Sequence, residues 1–150
     1  MREREIRDVC LSQLRATREK MARVTVVNDN AEFLDLVHDI LEGDRYDTTL
    51  VDGDRPDALD LIRSSRPDLL MIDVRLGVEG DHGWEIAQEI RSEPQFEALP
   101  VLLCSADVFA LQGLESSLAE TRRVATLSKP FTIDGLVAAI ETLLADPAFR

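Results

Sequence analysis

Five short apolar runs, each followed by a segment of helical periodicity, constrain this chain more than any other feature. "VTVV" (24–27) precedes Phe33, Leu34, Leu36, Val37, Ile40 and Leu41, spaced as one helix face, with Asn30 as a cap and Gly43 as a stop. "YDTTLV" (46–51) precedes a helix opened by Asp54 and Pro56 and carrying Leu59, Leu61 and Ile62. "LLMID" (69–73) follows Pro67, and a loop with Gly77, Gly80 and Gly83 leads into a helix through Trp84, Ile86, Ala87 and Ile90. "VLLCS" (101–105) follows Pro100, and Asp107 caps a helix to about Ala119. "VATLS" (124–128) precedes a helix capped by Thr132 through Leu136, Val137, Ile140, Leu143 and Leu144. Five strands alternating with five helices predict an α/β parallel sheet covered on both faces, and the apolar runs suit strands buried on both sides.

A chain of 150 residues, 45% hydrophobic, can bury one proper core. One domain over 22–150 is expected, preceded by an extension over 1–21. Cys10 and Cys104 stand far apart without metal-ligand spacing, which argues against a disulfide framework and a zinc site. No apolar stretch has the length of a membrane span or the place of a signal-peptide core, so a cytoplasmic protein without membrane insertion is expected. Residues 1–20 carry six basic and four acidic groups, whereas residues 21–150 carry 11 basic against 25 acidic, net −14. Nucleic-acid binders need a basic face, so direct nucleic-acid binding is excluded from the expectation.

In the extension, Ile6, Val9, Cys10 and Leu14 fall near helical spacing, and Glu3 to Arg7 and Arg4 to Asp8 are opposite charges four apart. Isolated helices of this length are marginal. Two readings stay open: a docking or dimerising helix, which would make a homodimer, and either a loosely ordered extension or an upstream start codon with Met21 as the biological beginning.

Ligands of open parallel sheets collect at the carboxyl ends of the strands. There the apolar runs end in Asn28 and Asp29, Asp73, Ser105 and Lys129. Two close carboxylates, Asp29 and Asp73, repel unless a cation lies between them, and hard oxygen ligands with an open coordination sphere suit Mg²⁺. A lysine can neutralise an incoming anion, a serine hydroxyl can bond one of its oxygens, and a carboxylate can act as nucleophile toward phosphorus.

With these motifs in hand, residues 23 to about 145 resemble the receiver domain of two-component response regulators. The acidic pair position ("VVNDN"), the acceptor ("LLMIDVR"), a hydroxyl residue followed by Ala ("LLCSAD") and "SKPF" come in that family's order, each closing an apolar strand. The resemblance implies a stand-alone flavodoxin-like, doubly wound, five-stranded sheet in the order 2-1-3-4-5. It implies Asp73 as phosphoacceptor and Mg²⁺ held by Asp29, Asp73 and the backbone carbonyl of Arg75, with Asn28 touching the metal through water. Lys129, Ser105 and Ala106 would bind the phosphoryl group, with Pro130 after a cis peptide bond. Ser105 and the position of Thr126 would form the switch, and Arg75 and Asp107 would tune phosphoryl lifetime, pairing across the site mouth. The partner implied is a sensor histidine kinase or histidine phosphotransfer protein. Such a domain promotes its own phosphorylation and dephosphorylation and is not an enzyme with turnover.

The sequence departs from that pattern at three places. Asn28 stands where the family has a second acid, Gly77 stands where it has a proline in a loop about two residues shorter, and Thr126 stands where many members carry an aromatic switch. A phosphorylation-independent interaction scaffold built on the same surface is therefore the alternative function. A flavin or nucleotide binder with a similar sheet is disfavoured, because "NDNAEF" replaces the glycine-rich turn. His82, a loop histidine without partners at ligand spacing, reads as a surface group, and Trp84 reads as packing.

Overall fold

The computed structural model describes residues 21–76, 82–118 and 121–145. The chain alternates β1 (Arg23–Asn28), α1 (Ala31–Gly43), β2 (Asp47–Asp52), α2 (Ala58–Ser65), β3 (Leu69–Asp73), α3 (His82–Arg91), β4 (Val101–Ser105), α4 (Val108–Leu118), β5 (Val124–Ser128) and α5 (Ile133–Ala145), with a short 3₁₀ turn at Pro94–Phe96. All strands are parallel and stand in the order β2-β1-β3-β4-β5. The fold is the expected flavodoxin-like one; residues 1–20 of the N-terminal extension, including the helix suggested for it, lie outside the described residues, as do Gly77 and Gly80.

Strand geometry sends alternate side chains to opposite faces, and β3 shows the result. Leu70 and Ile72 join Val27, Val101 and Leu103 against Ala58, Ile62, Ile86, Ala87, Ile90 and Leu111 of α2, α3 and α4. Leu69 and Met71 join Val24, Val26, Leu102 and Cys104 against Leu34, Val37, Leu41, Leu136, Ile140 and Leu143 of α1 and α5. Asp73 continues the second series, so its carboxylate belongs to the α1/α5 side.

Burial is complete only in the middle of the sheet. Every residue of β3 and β4 is buried, whereas β2 buries Val51 alone and β5 buries none fully. The expectation of uniformly covered strands holds for the centre and fails at the edges, where each strand has a single neighbour. Leu36 likewise leaves the apolar face assigned to it and is 57% exposed.

Local signals at the helix ends are mostly realised. Asn30 Oδ1 accepts Phe33 N–H at 3.1 Å, Asp107 Oδ1 accepts Ala110 N–H at 3.0 Å and Thr132 Oγ1 accepts Gly135 N–H at 2.9 Å. Two are displaced. Gly43 is the last helical residue of α1, and the left-handed conformation falls on Arg45 (φ 68°). α2 starts at Ala58, because Asp54 and Pro56 sit in a turn in which Arg55 pairs with Asp57 at 2.8 Å.

The order reverses around β1 and β3, and the ladder continues past the strand ends there. Val74 N–H donates to Cys104 O at 2.9 Å, Gly53 N–H to Asn28 O at 3.1 Å, and Lys129 N–H to Ser105 O at 2.8 Å. The first turn of α3 closes onto the segment after Asp73 through Gly83 N–H to Val74 O at 3.2 Å and His82 N–H to Leu76 O at 3.1 Å. Gly83 is required for this approach, since a Cβ there would overlap the Asp73 carbonyl oxygen, a backbone atom that cannot rotate away. Gly83→Ala is expected to cost about 1–3 kcal/mol in urea unfolding, the usual range for forced overpacking. A change below about 0.5 kcal/mol would show that the contact is relaxed in solution.

Candidate functional site

Asp73 ends a fully apolar strand and is 8% exposed. A carboxylate so placed needs donors, and it has three. Oδ1 accepts Arg75 N–H at 2.8 Å, and Oδ2 accepts Lys129 Nζ at 2.6 Å and Asn28 Nδ2 at 3.1 Å. The donors come from the ends of β1, β3 and β5, which the sheet order brings together. The Lys129–Pro130 peptide is cis.

Asn28 is 2% exposed and its amide is held at both ends. Its Oδ1 accepts Asn30 N–H at 2.8 Å while its NH₂ donates to Asp73. Exchanging oxygen and nitrogen would set two acceptors against each other at Asp73 and two donors against each other at Asn30, so the network fixes the orientation. The side chain expected to serve a metal through water therefore faces Asp73 with a donor. Asp29, the next residue, is exposed.

Ser105 is fully buried, and its Oγ accepts Asp107 N–H at 3.0 Å. Arg75 Nη1 stands 3.6 Å from Asp107 Oδ2, the pairing across the mouth anticipated from sequence. At 49% and 36% side-chain exposure this pair contributes at most about 1 kcal/mol. Ala106 is exposed between Ser105 and Asp107. Thr126 is not drawn into the cluster: it is exposed on β5, in register with Leu103. His82 Nδ1 lies 3.4 Å from Glu85 Oε2, and Trp84 is half-buried against the α2/α3/α4 side of the core.

Sequence alone assigns Phe33 only to an apolar helix face and Phe131 only to the "SKPF" motif. The Lys129 ammonium stands 3.9 Å from the centre of the Phe33 ring, which meets Phe131 edge to face at 6.1 Å and 75°. The available signal was the adjacency of Phe131 to Lys129 in "SKPF" and the place of Phe33 one turn after "NDN".

Among the described residues no group of three or more His, Cys, Asp and Glu could hold a metal ion, and no helix is long and apolar enough to cross a membrane. Magnesium, which retains several waters, asks for only one or two carboxylates, and the oxygens of Asp29, Asp73 and the Arg75 carbonyl are of the chemical type it takes. A groove of about 1150 Å³ lined by Met21, Tyr46, Pro67, Phe96 and Leu144 lies at the other end of the sheet, before the strands begin, and contains none of these groups.

A model of the response regulator receiver domain matches residues 24–141. The chain belongs to the response regulator receiver domain family. This receiver domain is 29% identical over 123 residues to the polar-differentiation response regulator DivK of Brucella anthropi, covering 82% of this chain and 96% of that one. Its fold matches the chemotaxis response regulator CheY4 of Vibrio cholerae with a TM-score of 0.69 at 22% identity, over 83% of this chain and 99% of the other. The receiver domain of the sensor histidine kinase PA1611 of Pseudomonas aeruginosa, whose structure has a magnesium ion coordinated in the active-site cleft, matches with a TM-score of 0.67 at 25% identity, over 83% and 98%.

Beside this site, Cys104 pairs in register with Asp73. Burial pushes its thiol up from 9.0 to about 12, with Lys129 opposing and Asp73 adding to the rise. The Tyr46 hydroxyl is also raised, by burial and then by Glu141 and Asp44. Both groups stay protonated in the folded state at pH values where the unfolded chain has lost those protons, so stability falls as pH rises above about 9. Urea unfolding between about pH 8 and about pH 10.5 should show this decline, with a shallower slope in Cys104→Ala; equal slopes would remove Cys104 as its source.

Proposed function

We propose that this receiver is a phosphorylation-dependent signalling switch in which Asp73 takes a phosphoryl group from a histidine kinase or histidine phosphotransfer protein. The observation that carries the reading is the buried Asp73 carboxylate with the Lys129 ammonium at 2.6 Å. Both acceptor positions of Oδ2 are used, by Lys129 and Asn28, while Oδ1 takes a single N–H and keeps a lone pair. In the transfer an Asp73 oxygen forms a bond to phosphorus, and the bond from phosphorus to the donor's nitrogen breaks with its electron pair leaving on that nitrogen. Lys129 offsets the added negative charge on the phosphoryl oxygens, and the Ser105 hydroxyl and Ala106 N–H donate to them. Magnesium at Asp29, Asp73 and the Arg75 carbonyl supplies positive charge toward the same oxygens when bound.

The same proposal assigns the remaining roles. Arg75 and Asp107 close the mouth and slow attack by water on the acyl phosphate. The chain acts on itself and has no turnover of a separate substrate. Output does not use the rotation of an aromatic ring at 126, since Thr126 has none; a change in the Ser105 to Lys129 region alters affinity for a protein partner. A second reading, a scaffold indifferent to phosphorylation, is favoured by one observation: Asn28 and Lys129 together fill both acceptor positions of Asp73 Oδ2.

Intact mass after incubation with acetyl phosphate and Mg²⁺ separates the two. A phosphoryl mass gain that disappears in Asp73→Asn and with chelator is expected. Folded wild-type protein that gains nothing would overturn the switch in favour of the scaffold reading.

Asn28→Asp exchanges a donor for a charge beside Asp73. Without metal the variant should lose about 1–3 kcal/mol in urea unfolding, as two close carboxylates repel. Magnesium should restore that loss and bind about tenfold tighter than to wild type by calorimetry, a gain of about 1.4 kcal/mol. Equal magnesium affinity in the two proteins would refute the donor role given to Asn28.

A further inference from the structure

Phe33 and Phe131 take no part in the chemistry derived above, yet Phe33 stands against its cation and Phe131 stands against Phe33. An ammonium has three N–H donors. Among the described residues Lys129 Nζ donates to Asp73 Oδ2 at 2.6 Å, and it stands over the Phe33 ring at 3.9 Å from the ring centre. An aromatic face carries the negative part of the ring quadrupole and attracts a cation, most strongly where water is largely excluded. The Lys129 side chain is only 20% exposed.

The ring is itself fixed. Phe33 lies in the first turn of α1, where its N–H is held by Asn30 Oδ1, and its ring meets Phe131 edge to face. Asn30 N–H in turn holds the Asn28 amide. One short segment, 28–33, therefore presents to Asp73 a donor on one side and to Lys129 a π face on the other.

We infer that Phe33 is a positioning residue that holds the Lys129 ammonium at the acceptor. A π face suits that task better than a second carboxylate, because it attracts without a fixed hydrogen-bond direction. The ammonium can turn from Asp73 Oδ2 toward a phosphoryl oxygen and remain over the ring, whereas a carboxylate would compete for the same N–H groups. The kinetic consequence rests on Asp73 being the phosphoacceptor, while the resting geometry does not.

The test compares Phe33→Leu, which keeps apolar bulk and removes the ring, with Phe33→Tyr, which keeps the ring. Protons over a ring face are shielded, so the Lys129 ε-methylene signals should lie upfield in wild type and Phe33→Tyr and move to their ordinary position in Phe33→Leu. Phosphoryl uptake from acetyl phosphate, read by intact mass, should slow by about twofold to tenfold in Phe33→Leu and be retained in Phe33→Tyr, with both variants folded by circular dichroism. Unshifted methylene signals in wild type, or a Phe33→Leu protein with wild-type signals and uptake, would overturn the inference. If wild type takes up no phosphate, the acceptor reading fails, and the methylene signals alone decide whether Phe33 positions Lys129.

Discussion

The rest of this structure depends on a carboxylate held at the edge of a dry core. Asp73 has apolar neighbours behind it along β3 and three donors in front of it, each delivered by a different stretch of chain. Removing one partner of a buried ion pair leaves an uncompensated charge, which commonly costs about 3–5 kcal/mol. The ends of β1, β3 and β5 are thus bound to one another through a single side chain, and the sheet order makes that binding possible by seating β1 next to β3.

The fold was legible because its signals repeat. Five strand-like runs, four of them with proline or glycine at a margin, and helical periodicity between them leave little besides a parallel α/β sheet, and the caps at Asn30, Asp107 and Thr132 form as read. Boundaries drifted where a local signal had a competitor. Arg45 rather than Gly43 adopts the left-handed turn, and the Arg55–Asp57 pair displaces the start of α2. Edge exposure of β2 and β5 was invisible in the runs themselves, since strand order is a long-range property.

The polar members of the site were legible for a different reason: each interrupts an apolar run at its carboxyl end. What the sequence could not supply was direction. That Asn28 offers its NH₂ to Asp73, and keeps its oxygen for Asn30, is decided by two partners in space. Phe33 looked like one more apolar position of an amphipathic helix, because periodicity reports a face and not what crosses it.

The strands carrying the donors differ in how firmly they are seated. β1, which carries Asn28, is hydrogen-bonded on both sides, by β2 and β3, whereas β5, which leads to Lys129, has β4 as its sole strand neighbour and is partly open to solvent. A force applied at Asp73 therefore meets unequal stiffness. Drawing Asn28 would strain two ladders, while drawing Lys129 strains one, and the backbone link from Lys129 N–H to Ser105 O hands that strain to the end of β4. At the Lys129 end of the cluster a single strand ladder resists displacement, against two at the Asn28 end.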